Sequence, residues 1–490
     1  MKLKLDLLYV FGLVLLLCNI IPGWSYTSSQ HASFEISRDE DPFISLHFRQ
    51  IQAPLSSTSS QYTPHTPIEA TNDTELEAVA NSGTGIKSDP FIIEGWNITT
   101  NGEHGIHIRH TTVHFIIRNC WIMTGSIGIA CGIHTRNITT GTVIIVNNTC
   151  QESYCGIFLE YSENSTVANN ICRNNRWGIK FFKSGNSTVR ENICIGNNRD
   201  GMDFDRSGNM AIIKNVCNQN NDTGMYLFVS NNLVITDNSF QINEDDGLHV
   251  DTCRNLTIMN NTYTRNKANG LFVWLTKFCM ITDNICNENF FDGIKFMEVQ
   301  ICVMRRNLLL ENQEYGIDLD LDSTNNSIYH NSFLNNNDNG TQAADDGFAN
   351  QWFNESILEG NYWGDYLGSG VYQLAGSSGS LDPYPLDDVL DSDVDGMPDG
   401  WEYKNGFNTT NPLDAFQDAD DDGMQNLWEY QMRLDPRKDD AAADLDGDTL
   451  TNLLEFQLRS WANQTDTDRD GMPDLYEFQN GLKIAEDDAD

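Results

Sequence analysis

The sequence predicts an all-β fold, a right-handed parallel β-helix of about 23 residues per coil, followed by a small module of loop–helix repeats. Three observations lead to this prediction. A glycine followed by an aliphatic residue or Met recurs at steps of about 23 residues. An Asn with an apolar residue two places after it precedes most of these glycines at a constant spacing. From residue 387 onward the composition changes to Asp-rich segments.

The glycine repeat defines the coil. Its members are Gly105, Gly128, Gly156, Gly178, Gly201, Gly224, Gly247, Gly270, Gly293 and Gly316. A fixed period of this length is the signature of a solenoid. After Gly201, Met202 and Phe204 alternate with two Asp residues, which predicts a strand with one buried face. Further short apolar segments, such as residues 233–235, give three strands per coil, so neighbouring coils should lie about 4.8 Å apart.

The Asn repeat predicts a ladder along the stack. Its pairs are Asn148 with Cys150, Asn170 with Cys172, Asn192 with Cys194, Asn215 with Cys217, Asn238 with Phe240, Asn261 with Tyr263, Asn284 with Cys286 and Asn307 with Leu309. Stacked Asn amides hydrogen-bond to one another, as in cross-β ladders. Cysteines in one column have parallel Cβ vectors, so we expect buried free thiols there and in the column of Cys279 and Cys302. The state of Cys131 and Cys155 stays open.

Several motifs resemble those of NosD-like right-handed β-helix proteins. They are the glycine repeat, the Asn-Asn-x-Cys turns, residues 89–93 (DPFII), residues 361–366 (NYWGDY) and residues 382–385 (DPYP). The resemblance covers roughly residues 70 to 386 and implies a fold shared with carbohydrate-binding and sugar-hydrolase β-helices. It also implies an association with copper-enzyme maturation. A copper site would draw on His104, His107, His110 and His114, but strand alternation puts His107 and His110 on opposite faces, so this function is the least favoured.

Side chains two and four places after each glycine are predicted to face outward and to form two columns of carboxylates, Lys, His and aromatic rings. Such a mixture suits an extended polysaccharide. The candidate catalytic residues are Asp203, Asp205, His249 and Asp251, and the candidate substrate-binding residues are Tyr226, Phe228, Phe272, Trp274 and Lys295. Two carboxylates about 6.5 to 9.5 Å apart would suit an inverting glycosidase, whereas a lyase would use Lys180, Lys295 or His249 as its base. The alternative to both is a merely solvated face.

The Asp-rich segments repeat the spacing of an EF-hand-type loop, with oxygen ligands at positions 1, 3, 5, 9 and 12. The predicted calcium ligands are Asp391, Asp393, Asp395, Asp399 and Glu402; Asp418, Asp420, Asp422, Asn426 and Glu429; Asp444, Asp446, Asp448, Asn452 and Glu455; and Asp466, Asp468, Asp470, Asp474 and Glu477. Position 6 is Gly except at Thr449, so the third loop should bind most weakly. Each loop leads into a short helix, which resembles thrombospondin type 3 and dockerin-like repeats and implies a structural role for calcium.

The net charge of −40 argues against nucleic acid or an anionic membrane as a partner. Residues 1–25 resemble a secretory signal peptide, with an uncleaved membrane anchor as the alternative. Sequons such as those at Asn137 and Asn408 favour a glycosylated, secreted or cell-surface protein. The predicted organisation is therefore a signal peptide (1–25), a Ser/Thr-rich linker (26–70), a β-helix with an N-terminal cap (71–386) and calcium-binding repeats (387–490).

Two function classes follow. One is a protein that binds extracellular polysaccharide or cell-surface glycans, or serves a structural or adhesive role. The other is an enzyme, a polysaccharide lyase or glycoside hydrolase, that acts on such a polymer. The geometry of the outward columns should separate them, because an enzyme needs converging acid and base groups.

Overall fold

The computed structural model describes residues 62–125, 128–139, 142–366, 370–386, 391, 393–409 and 411–484. The predicted signal peptide and residues 26–61 of the predicted linker lie outside this part of the chain. Within it, three parallel sheets of 13, 12 and 11 strands run along one stack of coils, each coil giving one strand to each sheet. The predicted parallel β-helix with three strands per coil is confirmed.

The strands of each sheet follow one another in coil order. The first sheet contains Thr63–His65, Trp96–Thr99, Trp121–Met123, Thr149–Gln151, Ile171–Arg173, Ile193–Ile195, Val216–Asn218, Ser239–Gln241, Thr262–Thr264, Ile285–Asn287, Leu308–Leu310, Ser332–Leu334 and Tyr362–Trp363. The second contains Ile68–Ala70, Ile106–Arg109, Ile133–Ile138, Cys155–Ser162, Trp177–Phe182, Met202–Asp205, Met225–Phe228, Leu248–Asp251, Leu271–Trp274, Ile294–Met297, Ile317–Leu319 and Ala343–Asp345. The third contains Phe91–Glu94, Phe115–Arg118, Val143–Val146, Thr166–Ala168, Thr188–Arg190, Met210–Ile213, Leu233–Thr236, Leu256–Met259, Met280–Thr282, Val303–Arg305 and Ser327–Tyr329. An antiparallel pair, Tyr372–Gln373 with Leu381–Asp382, follows the stack.

The interior of the coils is filled by columns of apolar side chains, as the alternation of apolar and polar residues predicts. Met202 and Phe204 are fully buried, and Phe204 stacks on Phe181 of the preceding coil at 5.1 Å. Cys150, Cys172, Cys194 and Cys217 pair in register on successive strands of the first sheet and are fully buried. All eleven cysteines in the described residues are buried free thiols, which confirms the column prediction and settles the state of Cys131 and Cys155.

The Asn column forms the predicted ladder. The Nδ2 of Asn170 donates to Oδ1 of Asn192 at 3.0 Å, and the same geometry links Asn192 to Asn215. Each amide also donates to a backbone carbonyl, as Asn192 does to Val167 O at 2.9 Å. A second ladder, which the sequence patterns above do not include, runs through Asn175, Asn197 and Asn220 at the next turn. Both ladders satisfy buried backbone groups at corners where no strand pairing is available.

Two boundaries differ from the predicted ones. The stack begins at Thr63, because the strands Thr63–His65 and Ile68–Ala70 pair with the next coil, so the predicted linker ends before residue 63. The repeat glycine of the third coil is Gly132 and not Gly128. An added Cβ at Gly132 would lie 2.6 Å from Gly156 O, whereas Gly128 has open space around it. The coil that ends at Gly132 is longer than the repeat, which shifts the glycine.

Both ends of the stack are covered. Helix α1 (Asp73–Val79) begins at Asn72, whose side chain accepts a hydrogen bond from Glu75 N, and its Leu76 is fully buried against the first coils. At the other end, which includes a 3₁₀ turn at Asn337–Asn339, Trp363 stacks on Phe333 at 4.3 Å and on Tyr372 at 4.0 Å. These rings close the core at this end of the stack.

The C-terminal module consists of short helices that each follow an acidic loop. They are α2 (Asp399–Lys404), α3 (Asn426–Met432), α4 (Asn452–Leu458) and α5 (Asp474–Asn480), with a 3₁₀ turn at Asp414–Phe416. Helix α2 packs on the outer side of the first sheet, where Tyr403 clusters with Leu308 and Leu310. The hydroxyl of Tyr403 lies 3.1 Å from Thr264 Oγ1, and Lys404 forms an ion pair with Glu311 at 2.8 Å.

Candidate functional site

The outward side of the second sheet carries the two predicted columns, which we call the strip. Its members two places after the glycines are His134, Phe158, Lys180, Asp203, Tyr226, His249, Phe272, Lys295 and Asp318, and those four places after are Arg136, Glu160, Phe182, Asp205, Phe228, Asp251, Trp274 and Met297. Most of these side chains are partly buried, and Trp274 and Met297 are the most exposed apolar members at 36% each. The structure thus brings the candidate catalytic and substrate-binding residues onto one face.

A third column, which the predicted columns did not include, borders the strip. It consists of the residues directly before the glycines, His104, Cys131, Cys155, Trp177, Asp200, Thr223, Asp246, Asn269, Asp292 and Tyr315. Asp246 reaches His249 of the strip at 3.0 Å, and Asp292 reaches Lys295 at 3.9 Å. The recurrence of polar residues at this one phase of the repeat was the signal that could have found it.

The centre of the strip holds an imidazole and a phenol side by side. Nδ1 of His249 lies 3.0 Å from Asp246 Oδ2, and the rings of Tyr226 and His249 meet edge to face at 5.1 Å. Because a carboxylate only accepts, Nδ1 of His249 donates in this contact, and in the neutral imidazole the lone pair is then on Nε2. The Tyr226 hydroxyl donates to Asp251 Oδ2 at 3.3 Å. Burial and the Asp251 carboxylate raise the pKa of Tyr226, so this phenol keeps its proton.

The predicted carboxylate pair is engaged in ion pairs. Asp203 is 6% exposed and binds the Lys180 ammonium, and Asp205 lies 3.4 Å from Arg206 Nη1. Burial and the charge of Asp203 raise the pKa of the neighbouring Asp200 to about 7, and burial and the charge of Asp318 raise that of Asp292 to the same value. Lys295, predicted to bind substrate, is paired with Asp318.

The histidines of the first coils separate into two groups. His104, His107 and His134 form a cluster with ring centroids 4.7 to 5.0 Å apart, while His110 is exposed in a turn and His114 contacts Thr142 Oγ1 at 2.6 Å. Burial and the neighbouring imidazole charges lower the pKa of His107 to about 4 and that of His134 to about 3. The rings of His107 and His134 are parallel within 3° and stacked 4.8 Å apart, so their in-plane lone pairs do not converge on one point. This arrangement does not fit a copper centre.

The acidic loops of the C-terminal module share one turn geometry. Position 6 has φ between 83° and 98° at Gly396, Gly423, Thr449 and Gly471. In the second loop, Gly423 N donates to Asp418 Oδ2 at 2.8 Å, and Thr449 N makes the matching bond to Asp444 at 2.9 Å. The predicted loop turn is therefore present four times, with Thr449 in a conformation that favours glycine.

Several of the carboxylate oxygens that converge in these loops have no hydrogen-bond donor. The side-chain oxygens of Glu402, Glu429 and Glu455 are buried and have no hydrogen-bond partner. Burial, and then the nearby Asp carboxylates, raise the pKa of Glu402 to about 9 and those of Glu429 and Glu455 to about 8. Groups with ligand atoms within 4.8 Å of one another are Asp393, Asp395, Glu402 and Asp414; Asp418, Asp420 and Asp422; Asp422, Glu429 and Asp440; Asp444, Asp446 and Asp448; and Asp466, Asp468 and Asp470.

Position 9 of three loops is used for a different contact. The amide of Asn426 donates to Asp414 O at 2.7 Å and accepts from Ala419 N, and Asn452 repeats this pattern with Asp440 O. Asp474 accepts from Thr467 N at 2.7 Å. Asn426 and Asn452 thus tie their loops to the segment before each, while Asp474 closes its own loop. Asp414 and Asp440, which the loop pattern does not include, lie in the acidic groups.

Comparisons with known proteins agree with this architecture. The sequence profile of the family described as periplasmic copper-binding protein (NosD) matches residues 132–269 and 195–368. The chain is a parallel β-helix protein, and residues 132–368 of it are similar to this family. No curated protein matches it.

Three solved structures show a distant similarity to this chain. The A-module of mannuronan C-5 epimerase AlgE6 from Azotobacter vinelandii is 14% identical, with 62% of this chain and 89% of that one covered at a TM-score of 0.44. A double mutant of the periplasmic alginate epimerase AlgG is 13% identical over 55% and 85% of the two chains, with a TM-score of 0.40. The Dettilon tailspike protein is 12% identical over 61% and 63%, with a TM-score of 0.45. The assignment of the fold rests on the strand pairing itself.

Proposed function

We propose that the chain is a protein outside the cytoplasm whose strip binds an extracellular polysaccharide and whose C-terminal module is held folded by calcium. The observation that carries the first half is the run of rings along the strip. His249 meets Tyr226 at 5.1 Å and Phe272 at 4.6 Å, and Trp274 stands beside them with 36% of its surface exposed. Rings spaced by one coil, with polar groups between them, suit a linear chain of sugars.

The charge around these rings favours a neutral polymer. The carboxylates within two coils of Tyr226 include Asp203, Asp205, Asp246 and Asp251, and two of them are paired with Lys180 and Arg206. Such a concentration of carboxylates repels an acidic chain unless a cation is interposed. None of the helices in the described ranges has the length and apolar character needed to cross a bilayer. Secretion and glycosylation remain predictions of the sequence.

A binding assay with a panel of neutral and acidic polysaccharides tests the first half. Trp274→Ala and Tyr226→Ala should each weaken binding about tenfold, since removal of an anchoring ring costs about 1.4 kcal/mol or more. Tyr476→Ala removes an exposed ring in α5 and serves as the matched control. Equal binding by the three variants and the unmodified protein would mean that the glycan does not bind to the strip.

The observation that carries the calcium half is the set of buried, unpartnered oxygens at Glu402, Glu429 and Glu455. Buried carboxylates without donors are costly, and a hard cation with six to eight oxygen ligands satisfies them. Titration calorimetry of chelated protein with calcium chloride should show binding, and Glu429→Gln should remove or weaken one site. Asp439→Asn removes an exposed charge from the same module and should leave binding unchanged. If the unmodified protein releases or absorbs no heat of calcium binding, the calcium assignment is wrong.

A lyase is the second candidate function, and the contact between His249 and Asp246 favours it. With a cation between the uronate and the nearby carboxylates, Nε2 of His249 would take the proton from the carbon beside the uronate carboxyl. The Tyr226 hydroxyl would give its proton to the departing glycosidic oxygen, leaving a double bond. A hydrolase is less favoured, since Asp203 is buried and bound to Lys180. Incubation with uronate polymers, followed by assay for unsaturated ends, tests the lyase function. His249→Asn should abolish them, whereas Trp274→Ala should raise KM and retain kcat.

A further inference from the structure

We propose that Asp414 and Asp440, which lie outside the acidic loops, are calcium ligands, and that the site completed by Asp414 fastens the C-terminal module to the first sheet. This inference rests on the proposed calcium binding. It adds two ligands and a consequence of ion binding that the loop pattern does not contain.

Asp414 is placed as a ligand by its surroundings. It is 5% exposed and lies in the 3₁₀ turn that follows the first loop and helix. Its Oδ2 accepts from Asn408 N at 3.0 Å, while its Oδ1 is buried without a partner. A ligand oxygen of Asp414 lies within 4.8 Å of those of Asp393, Asp395 and Glu402. A fixed, undersatisfied carboxylate among three others is the arrangement that a hard cation stabilises.

Asp440 repeats this arrangement one loop further on. Its Oδ1 is buried without a partner, and a ligand oxygen lies within 4.8 Å of those of Asp422 and Glu429. The backbone oxygen of Asp440 accepts from Asn452 Nδ2 at 3.1 Å, as that of Asp414 accepts from Asn426 Nδ2. Each added carboxylate therefore joins the ion group of one loop to the position-9 amide of the next. Ala462 occupies the corresponding place before Asp474, so the third loop lacks the added ligand.

The first ion group is joined to the contact between the module and the β-helix. Glu402 belongs to the ion group, and the next residue, Tyr403, is the side chain of α2 that packs on Leu308 and Leu310. Gly400 of the same helix lies so close to the sheet that an added Cβ would meet Leu334 Cδ1 at 2.6 Å. A helix of only 6 residues is not stable alone in water. An ion that bonds Glu402 to its three Asp neighbours fixes the helix in the position that docking requires.

The competing explanation is that protons, and not an ion, neutralise these acids in the functional protein. The two explanations differ in what calcium does to docking. If protons suffice, Tyr403 stays buried against the first sheet in the presence of a chelator. If the ion is needed, chelation exposes Tyr403 and its partner Leu310 together.

The test uses the full chain, calcium chloride, and hydroxyl-radical footprinting of Tyr403 and Leu310 read by mass spectrometry. Calcium should protect both side chains of the unmodified protein. In Asp414→Asn the calcium concentration at half-protection should rise about tenfold, since one charged ligand is replaced by a neutral oxygen of the same shape. Asp439→Asn, which removes an exposed charge beside Asp440, should keep the midpoint of the unmodified protein. Calorimetry on the same samples reports binding independently of docking.

The outcomes separate calcium binding from docking. If Asp414→Asn binds calcium and protects Tyr403 at the unmodified midpoint, Asp414 is not a ligand, although the calcium assignment of the loops stands. If calcium binds but chelation leaves Tyr403 and Leu310 protected, the docking role is refuted. If the unmodified protein binds no calcium, the proposed function and this inference fail together.

Discussion

Asn215 holds Asn192 through a single oxygen: the backbone nitrogen and the side-chain Nδ2 of Asn192 both lie 3.0 Å from Asn215 Oδ1. The Asn215 amide in turn donates to Val189 O at 3.0 Å and to Asn238 Oδ1 at 3.0 Å. One buried amide therefore satisfies groups on the coils before and after it, so its loss leaves several buried partners unpaired.

Asn215→Ala should destabilise the β-helix by about 3 kcal/mol or more, because each unsatisfied buried group costs about 1 to 3 kcal/mol. Asn198→Ala, at an exposed position of the neighbouring coil, should change stability by less than about 0.5 kcal/mol. Thermal unfolding followed by circular dichroism measures both. Equal melting temperatures would mean that the ladder adds little to the stability of the stack.

The four cysteines of the column from Cys150 to Cys217 should not react with alkylating reagents in the folded protein. Their thiols are fully buried, so an alkylating reagent does not reach them in the folded protein. Alkylation in native buffer should leave all four unmodified, and alkylation in guanidinium without reductant should label all four. Mass spectrometry reads both results, and a disulfide at any of them would contradict the stacked register.

Thr449→Gly should strengthen the third loop. Thr449 has φ 83°, a conformation that costs a residue with a Cβ about 1 kcal/mol relative to glycine. Calcium affinity of this loop should rise by about fivefold, which is that energy expressed as an equilibrium constant. Gly471→Thr, at a position where an added Cβ meets no atom within 4 Å, is the reciprocal control and should weaken the fourth loop by a similar factor. Site-resolved calcium titration would count against the strain argument if neither change moved an affinity.

Asp200 should make the β-helix less stable as pH rises through weakly acidic values. Its pKa is about 7 in the folded chain, mainly because of burial, against about 4 when unfolded. Between these values the unfolded chain releases a proton that the folded chain keeps, so stability falls as pH rises from about 4 to about 7. Asp200→Asn should raise Tm by about 2 °C at about pH 8 and leave it unchanged at about pH 4. Asp237→Asn, an exposed control, should lack this pH dependence.

The repeat made most of the fold predictable. Residues that face inward recur at one phase, so the columns of Phe204 and Cys194 follow directly from the sequence. Gly128 was misassigned because one coil has extra residues, and the extra turn supplies a second glycine of the same local type. The start at Thr63 was missed because the first coil has strands of only 3 residues and lacks the motif.

Only those residues of the candidate site that lie on the strands themselves were predictable from the sequence. Alternation placed Tyr226 and His249 on the outer face, but the partner of His249 is Asp246, which precedes the strand and turns toward it. Likewise His134 joins His104 from a later coil, and Asp414 joins Glu402 from beyond the loop pattern. Such contacts join residues from different turns of the chain. A spacing rule that covers only one segment cannot predict them.

The stacked rings of Phe333, Trp363 and Tyr372 also end the stack of coils. A coil of this type offers its next neighbour a row of free backbone donors and acceptors, and a bare terminal coil would recruit another copy of itself end to end. The rings of Trp363 and Tyr372 lie over the last coil and hinder an incoming strand from pairing with it. At this end of the stack, the cap therefore removes the template on which a second copy could continue the pairing.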